Sequence, residues 1–522
     1  MRIEYFKVTL FGDLILRKFL RTVAIVTVFS ICEKCLGFLY RIFLSRTIGP
    51  EGIGVYQVAL SVFALLLTVC CSGTPITVSR LMTKYGAENQ TEKSRKVISA
   101  GIFVTLFIAV AICIIFYAFE DFFGFLFADG RSKKVFNVIL PGLIFTSVYA
   151  VLRGVFWGNK DFLPYSIIEL LEELCMIVVG IALISFSTDI YQGSFSAGVA
   201  VLVSYIFSFT LAFIVFFLRK NKLVSPKGQL KPLLSSALPI TAMRTANSFS
   251  NSLVSIVLPL RLVSAGYTNA QAMSALGAAL GQAFPLLYTP TTLISAFTLV
   301  LVPEISENYY RKNYFYLKRD IEKALKFTVF LTCIFIPVFI VCGVEIGIVV
   351  FGGHECGEYL SLSAFTMLFM SISAITTSML NSMGLENKTL IYCIISGLLM
   401  LACAFFLPKY CGIYALLIGM FILHGLTAVL NLKLLEKSCT YKPEYKKFIT
   451  FSIGFLIPTA LLGFMLEKLI LSALGTFATL IVCSIVMVIF NVLLYFGFNL
   501  ITVDFIKNKL CTKEKPKAKK LL

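Results

Sequence analysis

The sequence predicts an all-α polytopic membrane protein of about fourteen transmembrane helices, built as two parallel six-helix lobes plus two C-terminal helices. Three observations carry this reading. Of 522 residues, 58% are apolar and only 14% charged, with a mean hydropathy of +0.90; a soluble domain carries about 25% charged residues. Apolar runs of about 20 residues recur along the whole chain, each long enough to cross a hydrocarbon core as a helix, whereas a membrane barrel would show short alternating segments. Finally, the chain repeats itself.

Apolar runs and their Gly, Pro or charged punctuation place the first six spans at 22–46, 54–82, 95–118, 134–157, 164–186 and 194–218. The next six fall at 233–263, 272–302, 321–342, 359–383, 388–407 and 412–435, and the last two at 447–467 and 473–500. The repeat pairs VSRLMTKYGAENQTEKSRKVISA from Val78 with VPEISENYYRKNYFYLKRDIEKA from Val302. It also pairs FGFLFADG from Phe123 with IGIVVFGG from Ile346, and RGVFWGNKDFLPYSII from Arg153 with NSMGLENKTLIYCII from Asn381. Three ordered matches at an offset of about 225 residues imply halves of equal orientation, because an even number of crossings returns each to the same side. The chain therefore divides into an N-terminal segment (1–21), a first lobe (22–218), a basic inter-lobe loop (219–232), a second lobe (233–435), the last two helices (436–500) and a basic tail (501–522).

The net charge of +19 does not point to nucleic acid, because the cations fall between alternate spans. Lys84, Lys93, Arg95 and Lys96 follow the second span, and Arg219, Lys220, Lys222, Lys227 and Lys231 follow the sixth. The opposite loops hold Glu51, Glu120, Asp121, Asp129, Asp189, Glu345, Glu355 and Glu358, with few cations apart from Arg131, Lys133 and Lys134. By the positive-inside bias both termini are cytoplasmic, and the tail can touch anionic lipid. Fifteen cysteines sit mostly inside apolar runs and read as small hydrophobes rather than disulfides.

Polar groups inside spans mark function, since a charge at the bilayer centre costs at least about 2.5–3.5 kcal/mol. The first span holds Glu33, Lys34 and Arg41; the two cations are seven residues apart and share a face. The seventh, LPITAMRTANSFSNSLVSIVLPLRLV, carries Thr241, Arg244, Thr245, Asn247, Ser248, Asn251, Ser252 and Ser255, a stripe read as lining a cavity rather than as packing glue. The eighth offers Gln282 and is interrupted by Pro285 and Pro290; Pro75 interrupts the second. These prolines are the expected hinges. The carboxylates Glu169, Glu172 and Glu173 are expected to pair with basic loop residues near Lys160. Arg80 is a further candidate contact, nearer the cytoplasmic rim.

Enzyme signatures do not emerge. His354 and His424 lack metal-ligand spacing with other donors, Cys32 and Cys35 form a CxxC with no soluble redox fold around it, and a Walker motif is absent. No catalytic residue, metal site or cofactor is assigned, and the coupling source, whether Na+, H+ or membrane potential, stays open.

The motifs LGFLYRIFLSRTIGPEGIGVYQ from Leu36, SGTPITVSRL from Ser72 and ALGQAFPLLYTPTTLISAFTLVLVPEISE from Ala279 resemble the multidrug/oligosaccharidyl-lipid/polysaccharide exporter superfamily. The similarity covers essentially residues 20–500 and is strongest to the polysaccharide-biosynthesis and stage V sporulation protein B branch, related to MurJ-type lipid II flippases. The resemblance implies two six-helix bundles exposing a central cavity to each side in turn, with basic residues there holding an undecaprenyl-pyrophosphate-linked saccharide. It implies Lys34, Arg41 and Arg244 as pyrophosphate contacts, with Arg80, Asn251 and Gln282 as further lining, and a lipid-tail groove at the last two helices. Where the family commonly has arginine before LGF this chain has Lys34, which keeps the charge and loses the two-pronged guanidinium. The resemblance also implies the plasma membrane, cell-wall or spore-wall synthesis, and partners limited to lipid-linked saccharide and membrane lipids, with a monomer sufficient. Two other readings are a cation-coupled drug or metabolite exporter, which would favour intramembrane carboxylates, and a membrane glycosyltransferase or polymerase, which would need a catalytic carboxylate cluster by a large loop.

Overall fold

A computed structural model describes residues 2–439, 444–498 and 500, with side chains described from residue 28 onward apart from scattered helical positions. The expected tail at 501–522 lies outside these. The described residues are helical throughout, with no strand. In chain order the helices are α1 (Arg2–Cys71), α2 (Thr74–Ala87), α3 (Thr91–Ala118), α4 (Gly130–Ile139), α5 (Gly142–Gly158), α6 (Phe162–Ser185), α7 (Ile190–Leu218) and α8 (Leu230–Ser264). Then come α9 (Asn269–Leu276), a π-helical segment (Gly277–Ala283), α10 (Phe284–Leu287), α11 (Thr289–Tyr310), α12 (Tyr314–Val341) and α13 (Gly343–Ile346). A second π segment (Gly347–Phe351) leads to α14 (His354–Ser363), α15 (Thr366–Ser382), α16 (Glu386–Phe406), α17 (Pro408–Cys411), α18 (Tyr414–Ser438) and α19 (Lys446–Gly497).

Every one of the fourteen expected spans is covered by helix. Eight helices, or ten spans counting two bent pairs, are long and apolar enough to cross a membrane by composition alone. The remainder follow from the polar residues themselves. The first two spans count as one stretch, Val28–Gly86; α6 carries three glutamates, α8 its polar stripe, and the eighth span is broken into α9, the π segment, α10 and α11.

Glycine sets the hairpins. Gly49 has φ 67° and ψ 179° inside α1, and Gly475 has φ 76° and ψ 173° inside α19, a region open essentially to glycine alone. Each therefore separates two spans, with Pro50 starting the second one where its missing N–H costs nothing. The repeat is visible in the backbone as well: positive φ recurs at Asn89 and Lys312, and at Lys160 and Gly384, pairs 223 and 224 residues apart.

Contacts divide the chain into two compact units. The first comprises Met1–Leu286, Val350–Tyr359 and Leu390–Thr427. Within it α1 packs on α6, α7, α8, α9 and the π segment, and a core of Val78, Val97, Val151, Leu152, Val155 and Phe216 joins α2, α3, α5 and α7. The second comprises Leu287–Val349, Leu360–Thr389 and Ala428–Leu522. There α12 packs on α15 and α19, Asn431 donates to Thr377 Oγ1 at 2.9 Å, and Asn491 donates to Thr459 Oγ1 at 3.2 Å. Such bonds between helices contribute about 0.6 kcal/mol each in a bilayer.

Candidate anion-binding face in the first unit

Lys34, Gly37 and Arg41 stand three and four residues apart and share one face of α1. At 1.5 Å per residue, Arg41 lies about 12 Å and Lys34 about 22 Å from the Gly49 turn. Arg41 is half-buried, and its Nη1 donates to the Gly281 carbonyl at 2.9 Å. That carbonyl belongs to the π segment, whose widened turn re-aims backbone groups out of the regular α-helical ladder. Lys34 is exposed.

A Cβ on Gly37 would lie 2.8 Å from Glu173 Oε1. Glycine thus admits the α6 carboxylate to the face that carries both cations, where Glu173 interacts with Arg41 and with Glu33. One turn earlier on α6, Glu169 accepts from Arg153 Nη1 at 3.3 Å, and Arg153 lies over the Trp157 ring at 5.4 Å. Glu172 lies beside Ser208 on α7. The α6 carboxylates therefore turn into the helix bundle, and Glu169 takes an arginine of α5 rather than a loop lysine. In the sequence Arg153 stands out only as the first residue of the repeat motif RGVFWGNKDFLPYSII.

The other expected contacts sit as follows. Arg244 is exposed on α8, with Nη1 3.4 Å from the Ser72 carbonyl at the break between α1 and α2. Arg80 is exposed on α2, about 12 Å beyond Ser72 along the chain at helical rise. Gln282 is 3% exposed. Its Nε2 donates to Ser45 Oγ at 2.7 Å, and Ser45 donates to the Phe351 carbonyl at 3.1 Å, so Gln282 clamps α1 to the π segment. The Asn251 side chain lies outside the described residues. Pro75 is buried at the start of α2, where a Cβ on Gly154 would meet its carbonyl at 2.6 Å. Pro285 follows the π segment within α10, and Pro290 starts α11, its ring outside the described side chains. Arg41 and Gln282 thus meet at one junction and Arg244 and Pro75 at another, while Lys34 and Arg80 stand apart.

Three hydroxyls of the α8 stripe bond to neighbouring backbone and side chains. Thr241 Oγ1 accepts from the Gly73 N–H at 3.2 Å, Ser248 pairs with Thr68 at 3.3 Å, and Ser252 donates to the Ser61 carbonyl at 3.0 Å. Spaced by seven and four, these three form one edge that bonds α8 to α1 and to the turn after it. Arg244 lies one turn from Thr241 and Ser248 yet remains exposed.

The polysaccharide biosynthesis protein family matches residues 19–309, more than half of the chain. The chain belongs to that family. Among its relatives, stage V sporulation protein B of Bacillus subtilis (strain 168) is 24% identical over 396 residues, spanning 73% of this chain and 76% of that one. Lipid II flippase MurJ of the same organism is 23% identical over 341 residues, 60% of this chain and 62% of its own. Among solved structures, that of lipid II flippase MurJ in an inward closed conformation superposes with TM-score 0.73 at 17% identity, covering 91% of this chain and 100% of the other. A multidrug resistance MATE family transporter of the MOP superfamily, inward-facing, gives 0.66 at 17% identity over 78% and 96%. This family member therefore has the helical fold of those MurJ and MATE structures and is a multi-pass membrane protein.

Proposed function

We propose that this family member moves an undecaprenyl-pyrophosphate-linked saccharide from the inner to the outer leaflet of the plasma membrane by alternating access, serving cell-wall or spore-wall synthesis. The observation that carries the reading is the Lys34–Gly37–Arg41 face of α1, with the Glu173 carboxylate lying against Gly37. A pyrophosphate cannot enter hydrocarbon without replacement of its water. Two cations about 10 Å apart along one helix, at 1.5 Å per residue, offer that replacement at two depths. Arg41 is held by the Gly281 carbonyl, and an arriving diphosphate gives its guanidinium a charged partner. Arg244, held at the Ser72 carbonyl, and Arg80, eight residues beyond Ser72 along the chain, extend the cationic route. Both termini face the cytoplasm, the last two helices shelter the lipid tail, and a Na+, H+ or electrical gradient drives the cycle.

The experiment is binding of undecaprenyl pyrophosphate to the purified protein in detergent. Arg41→Ala and Lys34→Ala are expected to weaken binding at least about fivefold each, because a charge-assisted bond contributes about 1.5–3 kcal/mol. Binding indifferent to both changes overturns the reading. A second reading, export of organic cations, is favoured by Glu33, Glu169, Glu172 and Glu173 in the same unit. It predicts resistance to cationic drugs on expression, lost in Glu172→Gln.

A further inference from the structure

A cavity of about 430 Å³ lies in the first unit, away from the α1 cationic face. Its walls include the carboxylates Glu51, Glu355 and Glu358 and the rings of Tyr267, Tyr359 and Tyr414. Glu51 stands just after the Gly49 turn, so the cavity is at the end of the bundle that the charge pattern assigns to the outside. The tyrosines are held in place: Tyr359 and Tyr414 lie nearly parallel, 9° apart with centroids at 6.5 Å, and the Tyr267 hydroxyl abuts Gly412, where a Cβ would collide with it.

The charges are unequally used. Glu51 pairs with Arg131 at 2.6 Å, and Glu355 accepts from Ser274 Oγ at 3.0 Å. Glu358 is exposed and has no ion pair among the described residues. The cavity thus carries net negative charge beside three tyrosines. Three oxygen donors converging on a point would suit a metal ion, but no group of three metal-binding side chains occurs among the described residues. Carboxylates spread around tyrosine rings suit a cation with an organic body, whose ammonium is drawn to ring faces and whose carbon skeleton covers them.

We propose that this cavity binds an organic ammonium group, with Glu358 and Glu355 as counter-charges and the three tyrosines as its wall. The proposal is independent of which cargo the α1 face carries. The ammonium can arrive on a free polyamine or on an amino sugar, and the test separates these. Intact protein in detergent is titrated calorimetrically with 1,5-diaminopentane, with glucosamine, and with N-acetylglucosamine as the uncharged control. Saturable binding of either amine is expected, weakened at least about fivefold by Glu358→Gln and by high salt, and unchanged by Asp121→Asn, an exposed carboxylate elsewhere. Tighter binding of the diamine assigns a free amine, and of glucosamine a sugar-borne one. Equal binding of N-acetylglucosamine, equal binding to Glu358→Gln at unchanged thermal stability, or saturation by neither amine overturns the proposal.

Discussion

Single residues decide whether the α1 face can hold an anion. The Glu173 carboxylate lies against α1 because Gly37 has no side chain, and its negative charge opposes an anion arriving at Arg41. Glu173→Gln removes that charge, so undecaprenyl pyrophosphate binding should tighten by about fivefold or more, a direction opposite to Arg41→Ala; the effective Coulomb energy of such a pair is of order kcal/mol. Gly37→Ala displaces only the tip of a flexible carboxylate and gains helix propensity, so thermal stability should hold or rise, while a fall would place Glu173 in a rigid structural role. Lys34→Arg restores a forked donor and should bind at least as tightly as the parent protein. Gly54 and Gly277 differ from Gly37, because a Cβ at either would strike backbone, at Met273 and Pro50 respectively. Alanine at either should destabilise by about 1–3 kcal/mol or more, read as a lower unfolding midpoint in detergent.

At the scale of elements, the motif IGPEGIG around Gly49 is a hairpin and a docking surface at once. Its first glycine supplies a backbone geometry closed to other residues, and Gly54 lets the second half of α1 lie against α9. Both Gly49→Ala and Gly49→Asn should cost about 1–3 kcal/mol, since asparagine tolerates the left-handed helical region but not ψ near 180°; rescue by asparagine would contradict this geometry. Apolar runs read together with their Gly, Pro and charged punctuation place the spans, although only eight to ten pass on apolar composition alone; the α6 glutamates, expected at loop cations, instead lie within the bundle, where Glu169 takes Arg153. What α8 does with its hydroxyls was not readable. A Ser/Thr stripe has the same spacing whether it wets a cavity or bonds a neighbour, and only the register with Ser61, Thr68 and Gly73 on α1 and the turn after it decides. The Arg41 partner was hidden for a related reason: composition does not announce a π turn, and so does not show that the Gly281 carbonyl is free to accept. Glu173 lies 136 positions from Gly37, a pairing no local pattern can report.

For the whole molecule, charge asymmetry and the internal repeat carry the proposed topology. In a variant whose native cysteines are replaced, single cysteines at positions 121 and 222 should react with a membrane-impermeant maleimide in intact cells at the first site only; the reverse would invert the orientation. Membership of the polysaccharide biosynthesis protein family and the MurJ-like fold leave the cargo to be established. The most direct measurement is translocation in liposomes of defined lipid-linked sugar pyrophosphates by the purified protein. The account predicts transfer of at least one such lipid to the opposite leaflet, reduced at least tenfold by Arg41→Ala with Lys34→Ala. Transfer of none of them, or transfer undiminished in the double variant, would contradict it.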